Sequence, residues 1–143
     1  MEFDYIEAMK LSNQLCFPLY AAARKITSLY TPLLKECGLT YTQYIVLMTL
    51  WEKDGLSVSE IGQRLLLDNG TLSPLLKKME QKGYIIRQRR LTDDRVIVVT
   101  LTDDGKALQK QLKFVPNEIV NCVDLSHDKI IQLKKLLNDF LKK

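Results

Sequence analysis

No run of about 18 apolar residues occurs anywhere in the 143-residue sequence, so a bilayer-spanning helix is not expected. Histidine is almost missing: His127 stands alone, and no cysteines or carboxylates gather around it at metal-ligand spacing. Neither a glycine-rich phosphate loop nor a serine–histidine–acid set is visible, and one imidazole supplies little for general base chemistry. No metal and no cofactor are expected. Cysteines number three, at positions 16, 37 and 122. An odd count so widely spaced does not make a secreted disulfide framework, and in a reducing compartment these residues should rest as thiols. The opening MEFDYIEAMK is acidic and mixed, unlike the basic-then-apolar order of a secretory signal, so a cytoplasmic location is expected. Repeats, low-complexity tracts and long linkers are lacking too. What remains is one domain with enough chain to bury a core.

What is present is unevenly placed. The net charge is only +4, yet the window from Pro74 to Arg95 holds seven basic residues against three acids. The bases are Lys77, Lys78, Lys82, Arg87, Arg89, Arg90 and Arg95; outside the window the signs balance. A charge run is usually a solvated face, but one confined to a single segment also fits the footprint of a polyanion.

Periodicity gives the elements. Leu15, Leu19, Ala22, Ile26 and Leu29 form a helical stripe within Leu11 to Tyr30, where Pro18 should bend the helix or leave a carbonyl near Gln14 free. Gly38 reads as a helix stop and Thr40 as the next cap; Tyr41 to Trp51 continues with mostly buried Ile45, Met48 and Leu50. Lys53 to Gly55 is a turn. SVSE sets Ser57 three residues before Glu60, the pattern of a capping box, and opens a short helix with Val58, Ile61 and Leu65 on one face. LDNGT breaks it, and a second helix follows with Leu72, Leu75, Leu76 and Met79 inward. Its outward set is Thr71, Ser73, Lys77, Lys78 and Gln81, and Gly83 ends it. Two strand-like runs, YIIRQRR and RVIVVTL, then flank the polar turn LTDD. A helix-turn-helix followed at once by a basic hairpin is far more specific than either part. It predicts a mainly α fold with a small β-hairpin wing, a winged helix-turn-helix that binds double-stranded DNA.

The last third returns to helix. Thr102 caps, with Asp103 and Asp104 in the first turn, and Leu108, Leu112, Val115, Ile119 and Cys122 or Val123 follow as a stripe that Pro116 should kink. Ser126 caps a final helix expected to bury Ile130, Leu133, Leu137 and Phe140. Approximate limits are 40–101 for the winged helix and 8–36 and 103–143 for the flanking helices, which lie too far from the wing for a minimal DNA-binding unit. Pairing them, with a second subunit among the options, would give them a use. Cys16, in NQLCFPLY, is on these residues alone either a small core hydrophobe or a working thiol.

From Ser57 to Leu108 the sequence resembles the multiple-antibiotic-resistance-regulator (MarR) family almost position for position, and the flanking helices extend the likeness over nearly the whole chain. The DDR at Asp93 to Arg95 is similar to that family's wing motif, and LTDDGKAL is typical of it. NQLCFPLYAAAR and LTYTQYIVLMTLWE resemble the organic-hydroperoxide-sensing (OhrR-like) branch. The resemblance implies a homodimeric repressor with interlocked terminal helices, which leaves a pseudo-palindromic DNA operator when an organic hydroperoxide oxidises it. Cys16 matches the sensing cysteine, Tyr20, Tyr30 and Tyr41 match its tyrosines, and Cys122 falls where two-cysteine members keep the resolving cysteine. Cys37 matches no sensing position and reads as a spectator.

On DNA, Thr71, Ser73 and Lys77 are expected at bases, Lys78 or Lys82 nearer phosphates, and Arg87, Arg89, Arg90 and Arg95 along the wing, with Asp93 directing Arg95. Three rivals differ in class. A relative of the same fold could answer to small phenolic ligands or to general thiol oxidation in control of stress or virulence genes. A thiol peroxidase would have no need of the basic wing, and a purely structural helical adaptor leaves the charge placement unexplained.

Overall fold

The computed structural model describes residues 3–142. Their order is α1 (Tyr5–Ala8), α2 (Cys16–Leu34), α3 (Tyr41–Glu52), β1 (Leu56–Ser57), α4 (Val58–Leu65), α5 (Asn69–Gln81), β2 (Ile85–Arg90), β3 (Asp93–Leu101), α6 (Asp103–Gln111), α7 (Val115–Cys122) and α8 (His127–Leu141). Short 3-10 turns occupy Leu11–Asn13 and Lys35–Cys37. No described helix is long and apolar enough to cross a membrane.

Side-chain caps set the helix starts in the middle of the chain. Ser57 Oγ accepts the Glu60 N–H at 3.1 Å while the Glu60 carboxylate accepts the Ser57 N–H at 2.7 Å. Thr40 and Gln43 repeat this box at α3, with distances of 3.3 and 3.1 Å. Asp68 caps α5 through the Thr71 N–H at 2.7 Å, and Thr102 caps α6 through the Gly105 N–H at 3.1 Å. Each such cap contributes on the order of 1 kcal/mol by satisfying a donor that the helix itself leaves free. Between α4 and α5 the chain turns at Leu66, which takes a left-handed φ of 55°.

The faces brought together by these turns make the core. Leu47, Leu50, Leu56, Ile61, Leu72, Leu76, Met79, Ile85 and Val99 are all at most 1% exposed. Burying each such side chain contributes about 1.5–3 kcal/mol before entropy is counted. The sheet is antiparallel in the order β1-β3-β2, with Leu56 opposite Val99 and Ile85 opposite Leu101. Near the tip the register shifts between Arg89 and Arg90, so that Arg90 faces Asp93 and Leu91–Thr92 form the turn. Asp93 and Asp94 thus belong to the strand rather than to the loop expected from LTDD. The strand β1 was not legible in the sequence, since its two residues are ordered by partners more than forty positions away. At the wing's base a side chain on Gly105 would stand 2.1 Å from the Tyr84 carbonyl oxygen, so only glycine lets α6 approach β2 this closely.

Four expectations need correction. The first long helix begins at Cys16, not Leu11, which puts Pro18 in its first turn, where a missing N–H costs nothing and no bend is required. The proline inside that helix is Pro32, near its other end. Pro116 likewise starts a helix instead of kinking one, because α6 stops at Gln111 and α7 begins at Val115. Met48 is 40% exposed rather than buried. Most telling are the terminal stripes: Leu15, Leu19 and Ile26 on α2 and its approach, and Leu133, Leu137 and Phe140 on α8, are all exposed within the single chain.

Candidate nucleic-acid interface and thiol site

Helix α5 turns Leu72, Leu76 and Met79 into the core, and its period therefore turns Thr71, Ser73, Lys77 and Lys78 out to solvent. Beside it stands the wing. Arg87, at the wing's base, is half-buried and lies on Glu80 of α5: its Nε and Nη2 donate to Glu80 Oε2 at 3.1 and 3.0 Å, and its backbone N–H donates to Oε1 at 2.8 Å. The wing is thereby fixed against the helix. Arg87 was expected at DNA; in the free chain its guanidinium is paired with Glu80. Glu80 was missed by sequence reasoning, although its seven-residue separation from Arg87 across the Gly83 turn was the available signal.

Farther out, Arg89 donates to the Asp94 carbonyl at 3.1 Å and Arg90 is exposed. Arg95 Nε and its backbone N–H both donate to Asp93 Oδ1 at 3.1 Å, while the Arg95 side chain stays 91% exposed. The carboxylate aims the guanidinium without burying it. An open cleft between the start of α4, α5 and the wing is lined by Ser57, Asn69, Ser73, Arg90 and Arg95. Lys82 lies elsewhere: its amine donates to the Gly38 carbonyl and to Gln43 Oε1, the latter at 3.3 Å. A phosphate contact was expected of this amine, and the fold gives it protein acceptors.

Hydrogen bonds to the charged form hold several of these carboxylates below their usual range. For Glu80 the donors are the Arg87 backbone and side chain; for Asp93 they are the Arg95 side chain and backbone. Glu60 and Asp68 are lowered by their cap hydrogen bonds to Ser57 and Thr71. A carboxylate whose pKa falls on folding stabilises the fold above its unfolded value and loses that contribution as pH drops through the folded one. Thermal stability should therefore decline below about pH 4. Glu80→Gln should flatten that decline and lower the midpoint at neutral pH by a degree or a few, as expected for a half-exposed pair worth about 1 kcal/mol or less. An unchanged acid profile would remove Glu80 from the set.

The thiols occupy three different settings. Cys16 is the exposed first residue of α2, whose cap residue Leu15 offers no side chain to the free N–H groups of the first turn. Cys122 is exposed at the end of α7. Cys37 is half-buried with its sulfur 4.0 Å from Gln111 Oε1, and burial, reinforced by the Glu36 carboxylate, pushes its thiol up. A raised thiol is a poor nucleophile, which fits a spectator.

Tyr20 lies one turn beyond Cys16, its ring under the Arg24 guanidinium at 5.5 Å. Tyr30 and Tyr41 pack together at 4.7 Å between centroids, with Tyr44, not foreseen from the sequence, at 5.8 Å from Tyr30. Burial, and then the neighbouring phenols Tyr41 and Tyr44, push Tyr30 up, so it remains a proton donor at neutral pH. Along α2, Tyr30 lies about 21 Å from Cys16 of the same chain at 1.5 Å per residue. One chain does not bring the two together.

Known proteins resemble this chain in sequence and in fold. Residues 28–112 match the family model for the transcriptional regulators SarA/Rot. The organic hydroperoxide resistance transcriptional regulator of Bacillus subtilis is 43% identical over 141 residues, covering 99% of this chain and 94% of its own. The crystal structure of overoxidized AbfR bound to DNA superposes with a TM-score of 0.80 at 38% identity, covering 96% of this chain and 97% of that one. Disulfide-formed AbfR, at 37% identity and 96% coverage of both chains, gives only 0.67; AbfR is a protein of Staphylococcus epidermidis. The chain belongs to the SarA/Rot family of transcriptional regulators, within the winged-helix group of the MarR type.

Proposed function

We propose that this protein is a homodimeric, cytoplasmic repressor that binds a pseudo-palindromic duplex and releases it when an organic hydroperoxide oxidises Cys16. The observation that carries this reading is the exposure, in one chain, of the apolar stripes on α2 and α8 together with both Cys16 and Cys122. Stripes of that size need a partner, and a second copy supplies the complementary pair. The flanking helices thus act in dimerisation and the segment from about 40 to 101 in DNA binding. Thr71, Ser73 and Lys77 meet bases, Lys78 meets phosphates, and Arg89, Arg90 and Arg95 follow the wing along the backbone and minor groove. The relative named for organic hydroperoxide resistance supports the choice of signal. AbfR on DNA matches this chain equally well whether reduced or overoxidized and better than disulfide-formed AbfR does, which supports the disulfide, rather than oxidation of sulfur alone, as the step that changes shape.

The chemistry needs no cofactor. The Cys16 thiolate attacks one peroxide oxygen, the O–O bond breaks, the alcohol leaves with a proton, and a sulfenic acid remains. Tyr20, with Tyr30 and Tyr41 brought from the second copy, supplies phenol O–H donors to the sulfur and the departing oxygen. The Cys122 thiolate of the second copy then attacks the sulfenic sulfur, forming an S–S bond and expelling water. Fluorescence anisotropy tests the whole reading: cumene hydroperoxide should release a selected duplex, dithiothreitol should restore binding, and peroxide consumption should stop after one equivalent per Cys16. Sustained turnover with a thiol reductant would favour a peroxidase and sink the repressor reading.

A further inference from the structure

We propose that Lys82 and Tyr84 are positioning residues that couple the thiol helix to the recognition helix, by fastening the end of α5 to the α2–α3 junction. The proposal rests on the reading of Cys16 as the sensor and names the route by which its oxidation reaches DNA. Helix α5 stops at Gln81 with Lys82 as its C-terminal cap and Gly83 at a φ of 79°. From this turn two side chains reach the same distant segment. The Lys82 amine donates to the Gly38 carbonyl, and the Tyr84 hydroxyl donates to the adjoining Cys37 carbonyl at 2.9 Å. Lys82 also reaches Gln43 Oε1 at 3.3 Å, the atom that accepts the Thr40 N–H in the capping box of α3. Gln43 is only 3% exposed, so that acceptor is held in place.

The junction so gripped is the far end of the thiol helix. Leu34 closes α2, the Lys35–Cys37 turn continues from it, and Gly38 reverses the chain with a φ of 62°. Carbonyls at such an end are left without helical partners, and a cation beside them is favoured by the helix dipole. From Cys16 to Leu34 the helix spans about 27 Å, long enough to act as a lever. Tyr41, just past the junction, packs on Tyr30 of the lever at 4.7 Å, so the junction and the last turns of α2 move as one piece. A tilt of α2 that follows oxidation at Cys16 displaces Cys37 and Gly38. The two ties then oblige the end of α5 to follow, where an untied helix would slide past.

The test measures coupling, as the ratio of Kd for the hydroperoxide-treated protein to Kd for the reduced protein. The probe is a duplex selected from a random pool by reduced wild-type protein. Lys82→Met and Tyr84→Phe should each lower the ratio by at least about fivefold, a coupling loss of the usual size, and Lys82→Arg should restore it. Sulfenic-acid labelling at Cys16 should proceed at the wild-type rate in all three. Tyr84→Phe, the milder change, keeps the proposal open to refutation if Lys82→Met does not fold. Undiminished ratios in folded variants overturn the coupling alone. A salt slope for Lys82→Met smaller than wild type by about one unit also overturns it, because Lys82 would then be a phosphate contact. Wild-type protein that keeps its duplex under hydroperoxide overturns the sensor reading and the coupling with it.

Discussion

Cys16→Ser protein is expected to stay on its operator at hydroperoxide concentrations that release the wild type completely. A serine hydroxyl keeps the size and position of the thiol at the start of α2, so dimer and duplex affinity should remain, yet it offers no thiolate to attack the O–O bond. The loss is therefore all-or-none rather than graded. Cys122→Ser should still react at Cys16, but with no second thiol the sulfenic acid should persist or pass to sulfinic and sulfonic forms. Cys37→Ser should behave as wild type, because burial and Glu36 keep that thiol protonated. A non-reducing gel run beside the anisotropy titration separates these cases. Wild type and Cys37→Ser should give a reducible dimer band, and the other two none. A link between chains is expected, since both thiols are exposed and the apolar face of α2, the helix that carries Cys16, lacks cover in one chain. Closure requires Cα atoms within about 7 Å. Release of Cys16→Ser protein by peroxide at wild-type concentrations would return Cys16 to the role of a packing residue.

Local order was legible where local chemistry decides it. The Ser57–Glu60 box, the Thr40 cap, the Gly38 and Gly83 stops and the basic hairpin all follow from side chains a few positions apart, and the structure has each of them. Partners far along the chain were not legible. Strand β1 exists because β3 pairs with it, and the Gly38 carbonyl that accepts the Lys82 amine lies 44 positions away. Arg87 shows the same limit, as charge patterning finds a cation but not the Glu80 that claims it. The prolines misled for a different reason. Pro18 and Pro116 break helices only in an interior, and a start displaced by a few residues turns each into a favoured first-turn residue. Periodicity rightly marked one face of α2 and α8 as apolar. It could not say which chain covers that face.

Arg95→Ala should weaken operator binding by about 1–3 kcal/mol per wing, and by roughly twice that for a dimer that places both wings on DNA. The side chain is 91% exposed and held at its base by Asp93, so its guanidinium is aimed before DNA arrives and little entropy is lost on binding. A planar cation that enters a narrow minor groove meets the strongest negative potential on the duplex, a site a lysine fills less well. Arg95→Lys should accordingly recover only part of the affinity. Asp93→Asn should fall between wild type and Arg95→Ala, since it leaves the charge and removes its guide. None of the three should alter the rate of Cys16 oxidation, because the wing and the thiol lie on different elements. Anisotropy titrations across a range of salt give the affinities and count the released ions, and Arg95→Ala should shorten the slope by about two for the dimer. Affinity within twofold of wild type at moderate salt would take Arg95 out of the interface and leave the basic wing without its principal contact.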